Sequence, residues 1–241
     1  MPFECYFFSG PEYIGVTRDA TGAGFVAAGY PAPISDWGWG SFGENGIDAA
    51  LYSGSKWYFF SGNEYIRVTR PETDPVPRKD LGTVDPGYPA PISDWGWGSF
   101  GENGIDAALY SGPVDYFFSG NEYIRVTRGE SAAGTVDPGY PAPISDWGWG
   151  SFGENGIDAA LYSQTKCYFF AGPSYIRVTR GDTGAGEVDA GYPTTIASAW
   201  GWGSFGANGI SAALYSGQTV SGSAPGGPVS GIGNTNPTGD D

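Results

Sequence analysis

One unit is written four times along this chain. Tyr-Phe-Phe starts at Tyr6, Tyr58, Tyr116 and Tyr168, and Tyr-Ile-(Gly/Arg)-Val-Thr-Arg starts at Tyr13, Tyr65, Tyr123 and Tyr175. Gly-Tyr-Pro follows at Gly29, Gly87, Gly139 and Gly191, then Trp-Gly-Trp at Trp37, Trp95, Trp147 and Trp200. Ile-(Asp/Ser)-Ala-Ala-Leu-Tyr closes each unit from Ile47, Ile105, Ile157 and Ile210. The stretch Thr83 to Ser111 reappears verbatim as Thr135 to Ser163. The second unit is longer by a Pro-rich, charged insertion between Arg70 and Gly87, which reads as a loop. Repetition at this period belongs to architectures in which each unit buries its apolar face only against its neighbours.

Within a unit the pattern is that of short strands. Tyr58-Phe59-Phe60 is a continuous apolar run, Ser61-Gly62-Asn63-Glu64 is a turn, and from Tyr65 to Arg70 Ile66 and Val68 alternate with Arg67 and Thr69. That period of two predicts a hairpin with one buried face on its second strand. Thr83-Val84-Asp85 is a third strand and Ile105 to Tyr110 a fourth, small and apolar. Pro89 to Asp94 leaves room for one helical turn, with Ser93 or Asp94 as its cap. Four strands per unit and four units predict an all-β fold, a propeller of four blades. The chain opens on the Tyr-Phe-Phe strand and its last Ala-Ala strand begins at Ile210, so the ring is expected to close by lending that strand to the first blade. Paired alanines suit the strand nearest the axis, where four backbones crowd together. The propeller is expected over residues 3–217. Residues 218–241, made of Gly, Ser, Pro, Thr and Asn with two terminal Asp, read as a disordered tail.

Composition removes several functions. The 241 residues contain no His, which excludes Ser-His-Asp and Cys-His nucleophile systems, HExxH zinc sites and imidazole ligation of haem. A net charge of −15 leaves no phosphate-binding footprint, so nucleic acid is not an expected partner. No apolar run is long enough for a membrane span, and Met1-Pro2-Phe3-Glu4-Cys5 shows no signal peptide. The expectation is a cytoplasmic protein or one released by a leaderless route. Catalysis is not expected: Asp36, Glu44 and Asp48 recur as Asp94, Glu102 and Asp106 and as Asp146, Glu154 and Asp158 in unchanged contexts. A carboxylate pair needs two different environments to divide acid and base roles.

Val-Asp-Pro-Gly-Tyr-Pro-Ala-Pro-Ile-Ser-Asp-Trp, Gly-Ile-Asp-Ala-Ala-Leu-Tyr and Tyr-Phe-Phe-Ser-Gly-Asn-Glu-Tyr-Ile-Arg, recurring in order over residues 3–217, closely resemble the hemopexin repeat. The resemblance implies a four-bladed propeller, as in haemopexin, matrix-metalloproteinase carboxyl domains, seed albumins and fungal lectins of this type. It also implies axial calcium or sodium with chloride, held by backbone groups of the Asp-Ala-Ala strands: Asp48, Asp106, Asp158 and Ser211 with Ala50, Ala108, Ala160 and Ala213. Ser211 departs from the Asp of the other copies; a carbonyl ligand survives that change and a carboxylate ligand does not. The family's disulfide joins first and last blades, and Cys5 and Cys167 are its candidates. They stand at equivalent positions of neighbouring blades, about a quarter turn apart, beyond the ~7 Å reach of a bridge unless both lie close to the axis. They are expected to be thiols.

The candidate ligand sites are repeated ones. Trp39, Trp97, Trp149 and Trp202, the second rings of the Trp-Gly-Trp pairs, lie in Gly-rich segments close to Asn45, Asn103, Asn155 and Asn208. A flat ring beside amides and carboxylates suits the apolar face of a sugar, and four sites would give avidity; the competing reading packs these rings between blades. Carbohydrate binding is the first functional expectation. Polyamine or haem binding, as the resemblance to seed albumins implies, is the second, with haem disfavoured by the missing His. A protein-interaction platform using the insertion after Arg70 is the third. Arg67, Arg125 and Arg177, with Gly15 in their place in the first copy, read as outward residues that are solvated or paired with nearby carboxylates, with a sugar- or carboxylate-binding role as the alternative.

Overall fold

The computed structural model describes residues 3–18, 24–53, 56–69, 82–129, 133–163, 166–179 and 186–218. The insertion after Arg70 and nearly all of the 218–241 segment therefore lie outside the described residues. Four antiparallel sheets follow one another. In the second blade the order from the axis outward is Ala49–Ser53, Lys56–Ser61, Glu64–Thr69 and Thr83–Val84. The pair Ala90–Pro91 adds a fifth short strand on Glu64–Thr69, where Tyr65 faces Ala90. The third and fourth blades repeat this arrangement. The first blade takes its inner strand from the far end of the chain: Ala212–Gln218 pairs antiparallel with Phe3–Ser9, setting Ala213 opposite Phe7 and Leu214 opposite Tyr6. The ring closes as the repeat order predicts, and the first blade gains an inner strand like those of the other three.

Each blade is buried on both faces, which explains why Tyr-Phe-Phe is continuous rather than alternating. Trp57 and Phe59 pack towards the first blade with Phe8, Tyr13 and Trp37, while Tyr58 and Phe60 pack towards the third with Trp95, Trp97 and Phe117. The strand Glu64–Thr69 departs from the single buried face read from its alternation. Ile66 and Val68 point into the first interface and Tyr65 into the second, leaving Arg67 half-buried. Small side chains at the axis allow close approach: Ala49, Ala50, Ala107, Ala108, Ala159, Ala160, Ala212 and Ala213 are all buried.

Ile92–Trp95 is a single 3-10 turn, closed by Gly96 at φ 72°. Its cap is not the expected Ser93 or Asp94: Pro91 holds that position without a side-chain hydrogen bond. Only the fourth copy, one residue longer here, forms an α-helical turn, Ile196–Trp200, capped by Thr195 accepting from the Ser198 N–H. Cys5 and Cys167 are buried thiols in adjacent blades with no disulfide between them.

Of the two readings of the outward arginines, solvated or paired, the structure has them paired. Arg67 Nε donates to Asp85 Oδ2 at 2.6 Å, and Lys56 and Thr69 converge on the same carboxylate. Arg125 and Thr127 meet Asp137, and Arg177, Thr179 and Lys166 meet Asp189. In the first blade Gly15 and Ala27 replace the Arg and the Asp, and Tyr30 fills the space: a Cβ on Gly15 would lie 3.0 Å from its ring.

Candidate ligand-binding face

One end of the propeller gathers the hairpin turns at Gly10, Gly62, Gly120 and Gly172, the start of each inner strand, and the loop that follows each Trp-Gly-Trp. These loops are fastened to two blades at once. Gly46 lies against the first hairpin, where a Cβ would meet the Gly10 carbonyl at 3.0 Å, and its φ of 125° favours glycine. Its own carbonyl accepts from Ser61 Oγ of the second hairpin at 3.1 Å. Ser119 does the same for Gly104 at 2.9 Å and Ser9 for Gly209 at 3.0 Å. At the fourth hairpin the serine is Ala171, so this bond to Gly156 has no counterpart.

The aspartates that precede the Ala-Ala strands act as latches. Asp48 Oδ2 accepts from the Gly62 N–H at 2.7 Å, Asp106 from Gly120 at 2.6 Å and Asp158 from Gly172 at 2.6 Å. Ser211, the fourth member, instead donates to the Ile47 carbonyl at 2.8 Å. Together these four residues line an axial mouth of about 310 Å³, with Ser9, Gly10 and Asn208 among its other walls. Burial raises the Asp48 carboxyl; burial also raises Asp106, opposed by its Gly120 bond and reinforced by the negative charges of Asp48 and Asp158. Among the described residues no three acidic or sulfur side chains group closely enough to hold a metal ion. The carboxylates therefore do not fit as a direct ligand cluster. Ala50, Ala108, Ala160 and Ala213 lie on the inner strands just below this mouth.

The tryptophans are placed otherwise than the exposed-ring reading requires. Trp39, Trp97, Trp149 and Trp202 are only 9%, 8%, 9% and 8% exposed. Each folds onto the middle Phe of the next blade: Phe59, Phe117, Phe169 and Phe7, at centroid distances of 4.6, 4.5, 4.4 and 4.5 Å. The cause is the glycine between the paired rings: Gly38 and its equivalents take a left-handed turn that sends the second indole inward beside the first. Packing between blades claims these rings, so they offer no platform to a sugar. Asn45, Asn103, Asn155 and Asn208 do stand exposed on the loop face.

Sequence reasoning missed a second cavity, of about 400 Å³, between the loop after Trp149 and the fourth hairpin. Phe152, Asn155, Gly156 and Asp158 form one side; Ala171, Ser174 and Pro193 form the other. Its signal was present in the fourth hairpin, Ala-Gly-Pro-Ser, which departs from the Ser-Gly-Asn-Glu of the second and third. The face as a whole is acidic. Glu12, Glu64 and Glu122 stand exposed at the hairpins and Glu44, Glu102 and Glu154 on the loops. The bases Lys56, Arg67, Arg125, Arg128, Lys166 and Arg177 are all ion-paired along the strands.

Residues 47–99 and 105–151 match the Hemopexin family model. No curated protein matches the sequence. Among solved structures, the chain is similar to a plant lectin with two metal binding sites from Cicer arietinum, at 25% identity and TM-score 0.67, covering 82% of this chain and 90% of that one. It is equally similar to the hemopexin fold protein CP4 from cow pea, with the same identity, TM-score and coverage. A 2S albumin seed protein from Dolichos aligns at 26% identity and TM-score 0.65, covering 82% and 91%. No helix among the described residues is long and apolar enough to cross a membrane. Repeat motifs, sheet order and these likenesses agree: residues 47–99 and 105–151 are hemopexin repeats, and the chain is folded as a four-bladed propeller like that of the hemopexin fold protein from cow pea.

Proposed function

We propose that this propeller is a non-catalytic lectin that binds carbohydrate on its loop face. The observation that carries the reading is the chemistry of that face: exposed Asn45, Asn103, Asn155 and Asn208 alternate with carboxylates on loops pinned to two blades each. Rigid amide and carboxylate groups satisfy sugar hydroxyls at little ordering cost. The likeness to the Cicer arietinum lectin supports it. The non-catalytic reading rests on repetition: Asp48, Asp106 and Asp158 serve one latch three times. Titration calorimetry with galactose and N-acetylgalactosamine, against spermine as control, tests the reading. Saturable heat with a sugar and none with spermine supports it; the reverse pattern contradicts it.

A second reading is favoured by one observation, the crowding of Asp48, Asp106 and Asp158 at the axial mouth. Three carboxylates there attract cations, so a polyamine or a resident calcium or sodium ion with chloride is the alternative occupant. Such an ion would draw its oxygens from the backbone at Ala50, Ala108, Ala160 and Ala213. A melting temperature raised by millimolar calcium and lowered by chelator would support that ion.

A further inference from the structure

The four copies are not equivalent on the loop face. The second and third hairpins carry Ser61 with Glu64 and Ser119 with Glu122, and the first carries Ser9 with Glu12. The fourth carries Ala171 with Ser174. Both changes shorten side chains at one spot, and the cavity of about 400 Å³ lies there. Phe152, on the loop above it, is partly buried against the interface cluster and lines the cavity. Gly156, whose counterparts Gly46, Gly104 and Gly209 accept a serine hydroxyl, lines the cavity together with Ala171, which stands at the position of that serine. The fourth copy is also stripped of charge along this face, with Ala207 for Glu154 and Ser211 for Asp158.

We infer that this cavity is a single, asymmetric sugar subsite for a neutral hexose residue of a glycan. The inference rests on the carbohydrate reading above and gives it a place. The chemistry is specific. Phe152 and Pro193 supply apolar surface for the C–H face of a pyranose ring. The Gly156 carbonyl and the second oxygen of the Asp158 carboxylate accept from sugar hydroxyls, since Asp158 Oδ2 is held by the Gly172 N–H. The Asn155 amide donates and accepts, and Ser174 adds a hydroxyl where the other hairpins place a carboxylate. The volume suits one or two sugar residues. At the other three hairpins, a glutamate and a serine occupy the corresponding positions.

The test rewrites the fourth hairpin in the language of the third. The double variant A171S/S174E restores residues that the other blades already fold around, so its melting temperature is expected to match the parent. Its affinity for galactose and N-acetylgalactosamine, measured by titration calorimetry beside the parent, is expected to fall by about tenfold or more. Asn155→Ala should lose affinity likewise, and provides the second reading if the double variant folds poorly. The reciprocal variant S119A/E122S should raise the stoichiometry from one site per chain to two. Unchanged affinity in both A171S/S174E and Asn155→Ala would overturn the subsite while leaving the lectin reading standing. A parent protein that binds no neutral glycan would overturn the lectin reading itself, and the subsite with it.

Discussion

Ala213, in the last described strand, pairs with Phe7, in the first, and so joins the two ends of the propeller within one sheet. The strand Ala212–Gln218 is the inner strand of the first blade, and Phe7 beneath it packs on Trp202 and Phe170 of its neighbour. A chain ending at Ala207 should therefore lose cooperative unfolding altogether. One ending at Gln218 should melt within a few degrees of the full-length protein. Thermal denaturation followed by circular dichroism compares them; equal melting temperatures would show that the ring does not depend on this strand.

The Gly15 and Tyr30 exchange predicts a compensated pair. Gly15→Arg places a Cβ 3.0 Å from the Tyr30 ring and adds a cation with no carboxylate at Ala27, so a loss of about 1–3 kcal/mol is expected. Adding Ala27→Asp rebuilds the Arg67–Asp85 arrangement of the second blade and should recover a large part of it. Chemical denaturation of both variants measures the coupling.

The acid limb of stability should belong to the outer ion pairs. Asp85 sits at about 2: burial pushes its carboxyl up, but hydrogen bonds from Thr69, Lys56 and Arg67 outweigh this. Asp137 and Asp189 are also held below the ordinary carboxylate range. A carboxyl lowered on folding stabilises in full above its unfolded value of about 3.9, and that contribution fades as the pH falls towards the folded value. Asp48 and Asp106 are raised, so their protonation on mild acidification favours the fold. Melting temperature should hold or rise slightly from neutral pH to about 4, then fall below it. Asp85→Asn should flatten that fall; an identical acid profile would count against the assignment.

Asp115 occupies the position of Cys5, Trp57 and Cys167 in the other blades, yet it is 3% exposed and charged. Arg128 Nε donates to it at 2.7 Å, and the guanidinium lies 4.2 Å from the Tyr110 ring centre. Asp115→Ala should cost about 3–5 kcal/mol by stranding Arg128, and removing both partners should cost less than the single change. A double-mutant cycle reads this directly.

Much of the fold was legible because repetition turns single weak signals into fourfold ones. Tyr-Phe-Phe, the hairpin turn and the Ala-Ala strand fix blade and order, and the starting point of the chain fixes the closure. The site was less legible. Trp39 in its Gly-rich segment looks exposed in sequence, and only the left-handed turn at Gly38 and the seat on Phe59 reveal it as core. Trp39→Ala is accordingly expected to cost about 3–5 kcal/mol of stability. The cavity at Phe152 escaped notice for a different reason. It is made by what the fourth hairpin lacks, and an Ala or Ser in place of Ser or Glu carries no motif.

The claim on which the functional account turns is that the loop face binds neutral glycans, and a glycan microarray probed with the labelled full-length chain measures it. The account predicts selective binding to a small set of neutral glycans that persists at high salt. No binding, or binding only to cationic surfaces that high salt abolishes, would contradict it.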